Sequence, residues 1–243
     1  MRVARLFVDR RLAPRTEHEI TGAPAQHLGR VLRARVGDAV VLFDDSGLEF
    51  AAQITSLDRH SVYVAIADAV DPGTESPLHT SLGLCLSKGD RFDRAIQKAT
   101  ELGVTAIQPL LSERVDFSIP ADRIAKRLSH WQQIVISACE QSGRVRLPQI
   151  STPCPLRQWV SEIYAEQKWV LHTDTGQRQG ESSAPGSIAL LVGPEGGLTD
   201  DEVTAAQQSG FHTLSLGPRI LRTETAPLVA LSVLGARWGD IGG

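Results

Sequence analysis

Leu190-Leu191-Val192-Gly193-Pro194-Glu195-Gly196-Gly197-Leu198-Thr199, followed by Leu216-Gly217-Pro218-Arg219-Ile220-Leu221-Arg222-Thr223-Glu224-Thr225-Ala226, gives two short apolar runs that each end in a glycine-bearing loop. Each loop reads as the opening of a helix, which is how an α/β sheet builds a ligand crevice at its strand ends. The first loop is not a phosphate cradle, because no Gly-Lys-Ser/Thr follows it and it lacks the G-x-G-x-x-G pattern. Its helix starts Thr199-Asp200-Asp201-Glu202, a capping box with acids in the first turn. Those carboxylates complement the helix dipole and would repel a phosphate, so the ligand is expected to be neutral or cationic there. In the second loop Arg219, Arg222 and Glu224 surround Ile220 and Leu221, a slot for a flat heterocycle with polar edges. The bland alternatives are a plain strand-to-helix turn and a surface ion pair between Arg222 and Glu224.

Working outward, residues 73–243 alternate strand and helix, which predicts a mostly parallel sheet covered by helices. Strands are expected at 82–86, 104–111, 169–171, 188–192 and 213–216. Helices are expected at 91–102 (capped by Asp90 and stopped by Gly103), at 121–142, at about 200–208 and at 226–238. The polar stretch 177–186 reads as a loop. Residues 1–72 read differently, as strands at 3–8, 39–43, 48–57 and 61–69 with a helix from Pro24 to about Arg35. Short strands separated by turn residues suggest a small barrel. Asp71-Pro72-Gly73-Thr74-Glu75-Ser76-Pro77 is a linker by composition and marks the domain boundary.

The chain has 243 residues and a net charge of −3, so overall charge does not announce a nucleic-acid partner. Its distribution says more. Residues 1–15 carry five arginines against Asp9, and residues 88–146 carry a local excess of positive charge. A polyanion would prefer these segments. Arg91, Arg94 and Lys98 stack at helical spacing beside Lys88, Arg144 and Arg146; this is either an RNA-binding stripe or a solvated face. Ala138 to Arg144 closes the long helix, either as an ordinary glycine-capped end or as part of a site. The three cysteines, Cys85, Cys139 and Cys154, show no C-x-x-C pairing and the histidines are scattered, so no metal site is expected. No signal peptide and no apolar run long enough to span a bilayer are seen, so a cytoplasmic protein with reduced thiols and no membrane partner is expected.

These two C-terminal stretches resemble the signature of the RsmE family, the 16S ribosomal RNA uridine-N3 methyltransferases of the SPOUT superfamily. Ile96 to Val104, Ala138 to Arg144, Arg5 to Val8 and His27 to Arg33 also look like family segments, in order along nearly the whole chain. The resemblance implies a PUA-like β-barrel that docks RNA, followed by a SPOUT α/β domain whose chain passes through a trefoil knot. It implies S-adenosylmethionine (AdoMet) as methyl donor, the small-subunit 16S rRNA as partner and a homodimer. Another SPOUT reaction (on a tRNA base or a ribose 2′-oxygen) and a non-catalytic RNA-binding assembly factor are the alternatives.

By the same resemblance Leu171, His172, Gly193, Glu195, Gly197, Leu216, Gly217, Ile220, Leu221, Arg222 and Ala226 should hold the donor. Arg222 would offset charge on the uracil, and Glu224 would orient that arginine or take the N3 proton. Arg5, Arg10, Arg11, Arg30, Arg33, Arg91, Arg94, Lys98 and Arg144 are the expected RNA contacts.

Overall fold

The computed structural model describes residues 3–115, 119–172 and 184–242. The chain divides into two compact units, and the division is not a single cut. Residues up to Glu75 form the first unit together with Cys139–Leu147, and the remainder forms the second. The first boundary falls between Glu75 and Ser76, three residues past the expected one.

In the first unit, β1 (Ala4–Phe7), β2 (Glu17–Thr21), β3 (Ala39–Phe43), β4 (Glu49–Leu57) and β5 (Ser61–Val70) form one sheet in the order β1-β3-β4-β5-β2. β1 runs parallel to β3 and the other pairs are antiparallel. The alternation in β4 buries Phe50, Ala52 and Ile54, and that in β5 buries Val62, Val64 and Ile66. They join Leu6, Leu28, Val40 and Leu42 in one core. β2 escapes sequence reading because its segment, Glu-His-Glu-Ile-Thr, buries only Ile20.

The helix expected from Pro24 to Arg35 is shorter. It comprises α1 (Gly22–Gln26) and a π-helical turn over His27–Val31, closed by Leu32 N–H on His27 O at 3.0 Å. Arg33 then enters the left-handed region, with φ of +52°, and the helix cannot continue.

Cys139–Leu147 is stitched to this unit by polar bonds. The Glu75 carboxylate accepts from Arg144 Nη2 at 2.7 Å, Val145 N–H at 2.9 Å and Arg146 N–H at 3.1 Å. Arg5 pairs with Glu49 and donates to Gly143 O at 3.1 Å. Glu140 accepts from Phe7 N–H at 3.1 Å; burial pushes its pKa above the ordinary range, against that bond. The Arg144 side chain is only 6% exposed. Glu75→Ala removes the paired carboxylate from that guanidinium and should cost about 3 kcal/mol, read as an earlier unfolding midpoint in denaturant. A loss below about 0.5 kcal/mol would show that the bonds contribute nothing net.

The second unit is built on a parallel sheet in the order β12-β10-β11-β6-β7-β8, with β9 also pairing β7. The strands are β6 (His79–Cys85), β7 (Ala106–Leu111), β8 (Gln149–Ile150), β9 (Cys154–Pro155), β10 (Gln167–Leu171), β11 (Ser187–Val192) and β12 (His212–Leu214). β11 is a near-continuous buried apolar run and β6 is fully buried from Leu82 to Cys85, as central parallel strands tend to be. The helices are α2 (Arg91–Glu101), α3 (Ala121–Ser142), α4 (Leu156–Glu162), α5 (Asp200–Gln208) and α6 (Ala226–Trp238). α2 buries Phe92, Ala95, Ile96 and Ala99, and Trp131 of α3 packs on Phe92 with ring centroids 4.9 Å apart. α4, β8 and β9 are too short to announce themselves in the sequence. α4 nonetheless places Trp159 against β6 where Gly83 has no side chain; a Cβ there would overlap the indole. Asp90 does not cap α2; its carboxylate pairs with Arg94 at 2.7 Å instead. Of the polar loop expected at 177–186, residues 177–183 lie outside the described residues.

Candidate active site

The ends of β10, β11 and β12 converge. His172 follows β10, Gly193 to Leu198 follow β11, and the 216–226 loop follows β12 and leads into α6. Between them lies a cavity of about 700 Å³, within the usual range for small-molecule sites. Every residue expected to hold the donor lines it: Leu171, His172, Gly193, Glu195, Gly197, Leu216, Gly217, Ile220, Leu221, Arg222 and Ala226. Glu224 lines it as well.

The glycines of the first loop are required by geometry. Pro194 O accepts from Gly197 N–H at 2.9 Å, and Gly197 has φ of +71°. A Cβ on Gly193 would meet Leu198 Cγ at 3.0 Å. The turn therefore brings bare backbone to the cavity wall. The wall ends at Leu198, one residue before the α5 cap. There Thr199 Oγ accepts from Glu202 N–H at 3.2 Å and Glu202 accepts from Thr199 N–H at 3.0 Å. The capping box and its acids stand as the sequence suggested, so the α5 terminus is already occupied and does not offer a phosphate site.

Glu195 is the hub of the loop. It accepts from Lys88 N–H at 3.2 Å and from the Arg91 guanidinium at 2.7 Å. Burial pushes its pKa up, but the loop's own backbone N–H, Arg91 and Lys88 outweigh that and hold it below the ordinary carboxylate range. Arg91, expected only on an RNA-facing stripe, thus lines the cavity. Arg114 was missed. It follows β7, lines the cavity and donates to Gly196 O at 2.8 Å. Its position just past the carboxyl end of a parallel strand was the available signal.

In the second loop the backbone carbonyl of Arg222 is taken by Thr225 N–H at 2.8 Å and Ala226 N–H at 2.9 Å. Among the described residues no ion pair joins Arg222 to Glu224. Arg222 is exposed. Glu224 Oε2 is buried and has no hydrogen-bond partner among the described residues. A buried carboxylate oxygen without a donor is costly, so the cavity is poised to receive one. The thiols do not compete as nucleophiles: burial pushes Cys139 up to about 12, and Cys85 and Cys154 also upward.

Residues 74–235 match the family model of the RNA methyltransferase domain, and residues 20–67 match that of the RNA methyltransferase PUA domain. Ribosomal RNA small subunit methyltransferase E of Synechocystis is 38% identical, covering 89% of this chain and 72% of its own. The protein of that name from Bacillus subtilis is 33% identical, covering 88% of each chain. Among solved structures, ribosomal RNA small subunit methyltransferase E of Neisseria gonorrhoeae, bound to S-adenosyl methionine, is 39% identical. It superposes with a TM-score of 0.92 over 98% of this chain and 99% of its own. A Legionella pneumophila methyltransferase in complex with SAM is also 39% identical, with a TM-score of 0.94 over 99% of this chain and 100% of its own.

This chain belongs to the ribosomal RNA small subunit methyltransferase E family.

The nine basic residues expected to meet RNA fall into three groups. Arg5 and Arg144, expected among the RNA contacts, have side chains largely buried in ion pairs, with Glu49 and Glu75. Arg91, Arg94 and Lys98 each hold a carboxylate: Glu195 at 2.7 Å, Asp90 at 2.7 Å and Glu101 at 2.8 Å. Arg10, Arg11, Arg30 and Arg33 are exposed on the first unit, Arg11 with Asp44 at 3.8 Å.

Proposed function

We propose that this protein transfers a methyl group from AdoMet to N3 of a uridine in the 16S rRNA of the small ribosomal subunit. The observation that carries the reading is the cavity between the 193–198 and 216–226 loops: apolar walls, close backbone and a buried Glu224 oxygen with no partner among the described residues. These residues fit AdoMet. Leu171, Leu216, Ile220 and Leu221 suit an adenine face, the glycine backbone suits close approach, and the Glu195 and Glu224 carboxylates are the lining groups that suit a sulfonium. When bound, AdoMet supplies an electrophilic methyl group carried on positively charged sulfur.

The chain's own residues do the rest. The two loops hold the reacting groups in line, which supplies much of the rate. Glu224 Oε2 accepts the proton that leaves uridine N3 as the N–CH3 bond forms, or holds Arg222 in place. Arg222, exposed at the mouth, offsets negative charge on the uracil oxygens. Arg10, Arg11, Arg30, Arg33, Arg94 and Lys98 are the proposed RNA contacts, with Arg91 tying the cofactor loop.

A homodimer is part of the proposal. Ile220, a wall residue of the cavity, is 88% exposed, and Val233 on α6 is 50% exposed; a second copy would cover them. No helix among the described residues is long and apolar enough to cross a membrane, and action on ribosomal subunits places the protein in the cytoplasm. Labelled AdoMet incubated with undermodified small subunits should place label in N3-methyluridine of 16S rRNA. Label in a ribose 2′-oxygen or in tRNA would reassign the reaction, and no transfer with donor bound would mark a non-catalytic assembly factor.

A further inference from the structure

We infer that the segment Arg30-Val31-Leu32-Arg33-Ala34-Arg35-Val36 is a preformed docking element for single-stranded RNA, in which the arginines meet phosphates and the exposed aliphatic side chains pack on unstacked bases. The inference rests on the RNA-methyltransferase reading and adds Arg35, Val31, Leu32 and Val36 to it.

Three observations meet in this segment. The first is charge. Among the described residues none of the guanidiniums of Arg30, Arg33 and Arg35 has a carboxylate partner, unlike those of the α2 stripe. The segment's neighbouring acid, Asp38, spends a carboxylate oxygen on Arg35 N–H at 2.8 Å. The second is apolar exposure. Val31 is 66% exposed, Val36 62% and Leu32 42%. Aliphatic groups interleaved with cations on a protein surface suit a ligand that is anionic along one edge and flat and apolar along the other. Single-stranded RNA has that chemistry, whereas a duplex hides its base faces.

The third is backbone conformation. Arg33 sits at the left-handed position that ends a helix, where glycine is the usual residue. Ala34 N–H closes back on Leu28 O of the preceding turn at 3.0 Å, and Gly37 N–H is held by Ile54 O of β4 at 2.8 Å, so the segment is tied to that turn and, just past its end, to the sheet. Leu28 is fully buried beneath it. A strained arginine kept where glycine would be easier points from structure to function. A pinned segment also has little left to order on binding.

The test uses the full-length protein and a single-stranded fragment of small-subunit rRNA, with the same sequence as a duplex, titrated at several salt concentrations. R30A/R33A/R35A should weaken single-strand binding at least tenfold. It should also flatten the slope of log K on log salt by about two, since each phosphate contact on a single strand contributes about 0.7. V31S/L32S/V36S should keep the slope, lose about tenfold on the single strand and lose little on the duplex. R33G separates the role from mere folding: it should raise Tm by relieving the left-handed arginine, yet weaken RNA binding. AdoMet affinity by calorimetry should be unchanged in all three. Single-strand binding and salt slope untouched by the triple arginine variant would overturn the inference alone, as would a serine variant equally impaired on duplex and single strand. Wild-type protein that binds AdoMet but no RNA would overturn the functional reading along with it.

Discussion

Glu224→Gln is expected to lower kcat for methyl transfer by about 10²–10⁴-fold, the range for removing a positioned general base, while AdoMet affinity stays within about threefold. The change keeps the shape of the side chain and removes its negative charge and its ability to take a proton. Glu224 is singled out by its surroundings. It lines the cavity and its Oε2 is buried without a partner among the described residues, while its neighbour Arg222 does not pair with it. If Glu224 acts instead by orienting Arg222 over the uracil, Arg222→Ala should reproduce much of the loss, and the double variant should be no worse than the more damaged single one. Turnover of Glu224→Gln within twofold of wild type would remove Glu224 from the chemistry.

Gly197→Val is expected to weaken AdoMet binding by roughly 30- to 100-fold, measured by calorimetry, with only a modest fall in Tm. Gly197 closes the Pro194 turn at φ of +71°, a conformation that a β-branched residue resists by about 2–3 kcal/mol. The cheapest relief is to break the turn, which moves Gly193 and Glu195 from the cavity wall and pulls Glu195 off Arg91 and Lys88 N–H. Stability suffers less, because the loop is half exposed and the sheet beneath it is unaffected. Unchanged affinity would mean that the donor does not touch this loop.

The sequence made the site more legible than the scaffold around it. The two glycine-bearing loops, the Thr199 capping box and every expected cavity residue were readable because turn chemistry and strand-end position are local properties. β2 and α4 were not, since the apolar positions of Glu17–Thr21 and Leu156–Glu162 are too few to show a period. The return of Cys139–Leu147 to the first unit was also hidden, because it depends on Glu75 meeting Arg144 and Val145, residues some 70 positions apart in sequence. Charge was the least specific signal. Arg5, Arg91 and Arg144 read as one class of basic residue, yet two are largely buried in ion pairs and one ties the 193–198 loop through Glu195. A count of cations carries no information about which carboxylates fold against them.

The most direct test is a crystal structure of this protein with AdoMet bound. The adenosyl group should lie between the 193–198 and 216–226 loops, with its methyl turned toward the Arg222 and Glu224 end of the cavity. Donor density elsewhere, or side chains of this chain filling that space, would contradict the account.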